Sequence, residues 1–242
     1  MQSIRDKVAI VTGASSGIGR GIALELAREG MVVIAAARSV DKLATLVDEA
    51  AAFDGKVIAV PTDVTKEADV VALFDKTVQQ AGTPDLLVNN AGIADATPTE
   101  DLTLEHWRHV IDTNLTSAYL CAREAIRLMK PAGGGRIVNI GSLSAKSPRP
   151  HSMAYTASKF AIEGMTRAIA FDGREHNITG CCLHPGQTRS SLVPGITDQK
   201  MDNQIDPADL GRLVVYMASL PPEIAVLDTL ILPVKVPFLG RG

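Results

Sequence analysis

The chain is poor in the residues that would tie it to metal, membrane or polyanion. Its 242 residues hold three cysteines, Cys121, Cys181 and Cys182, an odd number without metal-ligand spacing, which excludes a disulfide framework and offers no metal site. They read as core thiols, with a reducing cytosol as the expected compartment. No run of 18 apolar residues could span a bilayer, and no charged-then-apolar leader opens the chain. Charge nearly cancels: 24 Lys and Arg against 27 Asp and Glu give −3, so nothing marks a nucleic-acid or anionic-membrane partner. The only tryptophan, Trp107, is expected to pack a helix face. With no repeat and no low-complexity linker, the length suits one α/β domain over 1–242 acting on a small molecule.

What is present alternates. Apolar runs at 7–12, 31–36, 57–61, 85–89, 136–140 and 178–183 read as parallel strands, with a seventh near 228–232. Amphipathic stretches at 18–29, 40–52, 66–81, 103–130, 153–175 and 207–219 read as helices between them. Right-handed crossovers then put helices on both faces of one doubly wound sheet.

The first strand runs into Thr12-Gly13-Ala14-Ser15-Ser16-Gly17-Ile18-Gly19. Three glycines between a strand and a helix allow a sharp turn, close approach to a pyrophosphate and close helix packing, so Gly13, Ser15, Ser16, Gly17, Ile18 and Gly19 form a candidate dinucleotide turn. Leu86-Leu87-Val88 leads into Asn89-Asn90-Ala91-Gly92 at another strand's carboxyl end, where ligand crevices form. At the end of the second strand, where an acid would hold the ribose 2′-hydroxyl of NAD, stands Ala37, followed by Arg38. A guanidinium there can hold a 2′-phosphate in a fork of donors, which points to NADP(H), with NAD(H) as the alternative.

Tyr155 and Lys159 are four apart, so on a helix they share one face, and the ammonium beside the phenol favours its phenolate. A free phenol titrates near ~10, and a tyrosine used as an acid at neutral pH needs such a neighbour. Ser142 closes the fifth strand thirteen residues earlier.

Together these motifs resemble the single-domain short-chain dehydrogenase/reductase family over residues 6 to about 190. The resemblance implies a Rossmann-type doubly wound sheet of about seven strands and reversible hydride transfer between a nicotinamide and a carbonyl or secondary alcohol. It makes Asn114, Ser142, Tyr155 and Lys159 the catalytic four. Ser142 and Tyr155 contact the substrate, Lys159 also binds the nicotinamide ribose, and Asn114 holds a relay water. It further assigns Asp63 and Val64 to the adenine, Asn90, Ala91 and Gly92 to the adenosine, and Pro185, Gly186 and Thr188 to the nicotinamide side. A homodimer or homotetramer is implied, built on the helices near 103–130 and 153–175. A silent dinucleotide sensor is the rival reading, but such a chain should have lost one of the four. The stretch 187–205 reads as a substrate lid, and 221–242 departs from the family's glycine-rich final strand and tail. The apolar tail Val236, Pro237, Phe238 and Leu239 is a candidate cover for a partner subunit or the substrate mouth. His151 and His184 are set aside as ordinary histidines.

Overall fold

The computed structural model describes residues 1–190 and 203–238. Seven parallel strands, β1 (Val8–Thr12), β2 (Val32–Ala37), β3 (Lys56–Pro61), β4 (Leu86–Asn89), β5 (Gly135–Ile140), β6 (Ile178–Pro185) and β7 (Asp228–Ile231), form one sheet in the order β3-β2-β1-β4-β5-β6-β7. The order reverses between β1 and β4, and the crevice at such a switch point lies beyond the strands' carboxyl ends.

Side-chain alternation along the central strands explains the two layers. Ala9 and Val11 of β1 with Val33 and Ala35 of β2 face α1 (Gly17–Arg28), α2 (Val40–Ala50) and α7 (Pro207–Ser219), whose Ile22, Leu26, Leu46 and Val214 complete that core. Ile10, Ile34 and Ile137 face the other way, onto α3 (Glu67–Ala81), α5 (Ser117–Ala132) and α6 (Met153–Gly173), meeting Phe74, Met129 and Ile169. Central strands buried on both faces are apolar along most of their length, which is why β1 and β4 read as apolar runs up to the polar residues Thr12 and Asn89 at their carboxyl ends.

The predicted single helix over 103–130 is instead α4 (Leu104–Ile111) and α5 joined by a π turn over Asp112–Thr116. Hydroxyls supply the missing bonds of the wider turn: Thr113 Oγ1 donates to the His109 carbonyl at 2.8 Å and Ser117 Oγ to the Thr113 carbonyl at 2.6 Å. The helix predicted over 153–175 ends at Gly173, and a short 3₁₀ turn finishes it. The unusual C-terminal sequence still yields a strand: β7 pairs in parallel with β6, from Cys182 opposite Asp228 to Pro185 opposite Ile231.

Of the predicted lid, 191–202 lies outside the described residues. Its flanks are joined by a parallel bridge from Thr188 to Ile205, and Arg189 pairs with Asp206 at 2.8 Å. Of the tail, Leu239 and beyond lie outside the described residues. Phe238 borders a shallow hollow with Phe160, Gly164 and Arg167 on α6 and is not in the wall of the main cleft.

Candidate active site

A cleft of about 630 Å³ runs along the carboxyl ends of the strands. Its first end is built from backbone. Gly13 has φ +65°, and a Cβ there would stand 2.9 Å from the Ala91 Cα. Gly19 lets α1 close against the Gly13 carbonyl and the Asn90 side chain, which a methyl group would strike. Thr12 Oγ1 accepts from the N–H groups of Asn90 and Ala91 at 3.0 and 3.1 Å, and the Asn90 amide donates to the Thr12 carbonyl at 2.9 Å. These bonds lock the turn to the end of β4. The first turn of α1 carries no acidic residue, and Ser16 at its N-cap makes no side-chain cap bond. Its leading N–H groups therefore suit an anion such as a pyrophosphate.

Ser15, Ser16, Gly17 and Ile18 border the same cleft, and so do Arg38, Asp63, Val64 and Gly92. Arg38 is exposed between β2 and α2. The Thr65 hydroxyl bonds Asp63, and that bond, with Lys66 and Arg38 nearby, holds the Asp63 carboxyl below its usual value although burial opposes it.

The second end is built from side chains. Tyr155 and Lys159 lie on the buried side of α6, 8% and 5% exposed, with the Lys159 ammonium 5.7 Å from the Tyr155 ring centre. Lys159 Nζ donates to the Ile140 carbonyl at 2.8 Å, which fixes the ammonium at the end of β5. Ser142 Oγ accepts from the Ser144 N–H at 3.0 Å, leaving its own proton for a ligand. Asn114 is in the π turn and 1% exposed. Its amide oxygen accepts from the Ile93 N–H at 2.7 Å, while Nδ2 donates to the Ile93 carbonyl at 2.9 Å and to Ser158 Oγ at 3.2 Å. Asn114 thus ties the chain after β4 to α6, one residue from Lys159. Pro185, Gly186, Thr188 and Ser190 line the far wall.

Sequence reasoning missed three residues. Arg149 and His109 border the cleft. His184, set aside above, is fully buried behind Ser142: its Nδ1 lies 3.2 Å from the Ser142 N–H and 3.0 Å from the Ser142 carbonyl. A neutral ring uses one of these. Nε2 faces Asp228 Oδ1 at 3.2 Å without hydrogen-bond alignment, with Glu163 at 3.8 Å. Lys146 neutralises both carboxylates, reaching Asp228 at 2.6 Å and Glu163 at 2.8 Å, and despite partial burial they hold its ammonium above the usual value. Burial pushes the His184 pKa down. One signal was available: a histidine inside an otherwise buried strand must be buried too and must find partners. His151 is exposed, as expected. The three thiols are free and buried, with Cys121 and Cys182 pushed up to about 12 by burial. Trp107 is half-buried on α4. Among the described residues, no helix is long and apolar enough to cross a membrane.

Comparison with known proteins agrees with this geometry. The family model for short chain dehydrogenase matches residues 7–201. The chain is 40% identical to a 3beta-hydroxysteroid dehydrogenase of Mediterraneibacter gnavus over 78% of its own length and 68% of that protein's. To a D-beta-hydroxybutyrate dehydrogenase of Rhizobium meliloti it is 34% identical over 82% of each. Among solved structures, an alcohol dehydrogenase of Thermococcus sibiricus, complexed with 5-hydroxy-NADP, superposes with a TM-score of 0.88 at 26% identity, covering 96% of this chain and 98% of that one. The chain belongs to the short-chain dehydrogenase/reductase family, oxidoreductases that act on CH–OH and C=O groups with a nicotinamide cofactor.

Proposed function

We propose that this enzyme uses NADP(H) in preference to NAD(H) and interconverts a small secondary alcohol and its carbonyl, with Tyr155 as the acid and base. The observation that carries this reading is a single cleft with Arg38 at one end and Ser142, Tyr155 and Lys159 at the other. The two relatives named above act, by name, on compounds with a secondary hydroxyl, which supports the same substrate type here.

When bound, the nicotinamide supplies the hydride acceptor or donor. Ser142 Oγ and the Tyr155 hydroxyl would hold the substrate oxygen between them, a pair of donors aimed where negative charge grows during reduction. Tyr155 gives its proton to that oxygen, or takes one during oxidation. Lys159 stabilises the phenolate left behind and binds the nicotinamide ribose, while its bond to the Ile140 carbonyl keeps it in place. Asn114 holds the relay water that returns the proton from solvent, from a position fixed through Ile93 and Ser158. The glycine turn and the start of α1 hold the pyrophosphate, Asp63 and Val64 the adenine, Asn90 to Gly92 the adenosine, and Pro185, Gly186 and Thr188 the nicotinamide side.

A homodimer or homotetramer belongs to the same reading, supported by Tyr119 on α5 and Phe160 and Phe171 on α6, which expose large apolar surface. Cytoplasmic residence rests on the three free thiols. Calorimetric titration of NADPH and NADH against wild type and Arg38→Ala tests the cofactor half. The expected result is a wild-type preference for NADPH that the substitution cuts by about 10- to 100-fold, the worth of one charge-assisted contact. A wild type that prefers NADH would reverse the assignment.

A further inference from the structure

We infer that the substrate end of the cleft takes an anionic carbonyl compound, a short oxo acid or the matching hydroxy acid, whose carboxylate pairs with Arg149. This deepens the reading above and rests on Tyr155 being the reacting group.

Arg149 lies between the turn that follows Ser142 and the start of α6. Its guanidinium carbon is 5.9 Å from the Tyr155 ring centre, close to the 5.7 Å of the Lys159 ammonium, so two cations flank the same phenol. They differ in what else holds them. Lys159 is committed to the Ile140 carbonyl. Arg149 lends only its backbone carbonyl, which accepts from Ser152 Oγ at 2.6 Å. Eight other described arginines are paired with acids, among them Arg5 with Asp54, Arg20 with Glu49, Arg123 with Glu67 and Arg189 with Asp206, whereas Arg38, Arg108, Arg136 and Arg174 are not. Among the described residues Arg149 has no such acid.

Among the described residues no carboxylate lines the substrate end to compensate it, and the one acid in the cleft wall, Asp63, is at the adenosine end beside Thr65 and Lys66. A neutral ketone would leave the guanidinium to water, whereas a carboxylate can accept two parallel N–H bonds from it. The guanidinium's nearness to Tyr155 sets the chain length. The acid group must lie only a few bonds from a carbonyl held by Ser142 and Tyr155, as in 2- and 3-oxo acids. Two anchors, one at each end of so small a molecule, would also fix which face of the carbonyl meets the nicotinamide.

The test compares acetoacetate with methyl acetoacetate, identical at the reacting carbonyl, using NADPH and NADH in turn. Wild type should reduce the acid with kcat/KM roughly 10-fold or more above the ester, mainly through KM. In Arg149→Gln that ratio should fall to within about three-fold of one, and Arg149→Lys should keep part of it. A wild-type ratio of one or less overturns the inference, as does a ratio that survives in Arg149→Gln. Should neither compound react, titrating butanoate and butanamide into the cofactor-loaded protein decides it: tighter butanoate binding lost in Arg149→Gln supports the site, and equal binding overturns it. Tyr155→Phe separates the two readings. A variant that still reduces substrate at the wild-type rate refutes the chemistry at Tyr155, whereas the acid-to-ester ratio reports on Arg149 alone.

Discussion

The two ends of the cleft are made of different material. At the dinucleotide end, Gly13, Gly19 and the leading N–H groups of α1 act through backbone position, and side chains such as Thr12 and Asn90 mainly brace that backbone. At the substrate end the proposed chemistry rests on side chains, those of Ser142, Arg149, Tyr155 and Lys159, which line that part of the cleft. A moiety shared by every turnover can be met by peptide groups, which no single substitution removes. A moiety that differs between enzymes must be met by groups that substitution can change. The two ends should therefore fail differently when damaged.

The largest effect is expected at the substrate end. Tyr155→Phe removes the proton donor and should cut turnover by about 100-fold or more while cofactor affinity stays near wild type. Stopped-flow and cofactor titration on one preparation would check it, and substantial residual turnover would falsify the acid/base assignment. Lys159→Ala should breach the division, weakening both turnover and nicotinamide binding, since one ammonium serves phenolate and ribose. Affinity that is untouched would confine Lys159 to the substrate end.

At the dinucleotide end, Ala37→Asp with Arg38→Ile should invert the cofactor order, because the new carboxylate repels a 2′-phosphate and accepts from a ribose hydroxyl. The signature is in cofactor KM far more than in kcat, and a preference that keeps its sign would place recognition elsewhere. Gly19→Ala drives a methyl onto the Gly13 carbonyl and the Asn90 amide. The overpacking should cost about 1–3 kcal/mol, lowering the melting temperature by roughly 2–4 °C per kcal/mol. A melting point equal to wild type would mean that the turn yields more easily than its packing suggests.

The smallest effect belongs to His184, behind the substrate end. Burial lowers its pKa from the ordinary 6.5. Between the lowered value and 6.5 the unfolded chain binds a proton that the folded chain refuses, so folding stability falls as pH drops through that window. The groups facing the ring are Asp228, Glu163, Lys146 and the Ser142 backbone. Denaturation midpoints taken from pH 7.5 down to 5.5 should decline less in His184→Asn than in wild type, by under about 1 kcal/mol over the range. Parallel declines would show that the ring is not the group titrating.

The dinucleotide end was legible in the sequence because its requirement is positional: only glycine permits φ +65° at residue 13 with Ala91 so near, so function is written as spacing. The strands were legible for a related reason, since burial on both faces leaves mostly apolar residues along them. Tyr155 and Lys159 were legible through helical period. Arg149 was not, because an arginine in a loop looks the same whether it faces solvent or a phenol. His184 was passed over because its partners come from three separate elements, α6, β7 and the turn after β5. The break in the helix over 103–130 was hidden as well: no glycine or proline marks it, and Thr113 and Ser117, which sustain the π turn, look like ordinary helix residues until their hydroxyls are seen to bond the carbonyls.

That π turn absorbs a surplus residue between the two helices it joins. An α-helix advances about 100° and 1.5 Å per residue, and a π turn accommodates one residue more than the regular winding. With the surplus absorbed there, α5 aims Cys121, Ala125 and Met129 at the sheet while α4, on the same continuous rod, turns His109 to the cleft. Deleting Thr113 would let the rod rewind as plain α-helix with every backbone bond intact. Circular dichroism would register almost no change and α4 would keep its phase, yet the widened turn that presents Asn114 to Ile93 and Ser158 would be gone. Indel tolerance along this segment thus depends on the surplus residue: its loss near Asn114 erases the widened turn, whereas the same loss in the Gly133–Gly134 turn only shortens a connection.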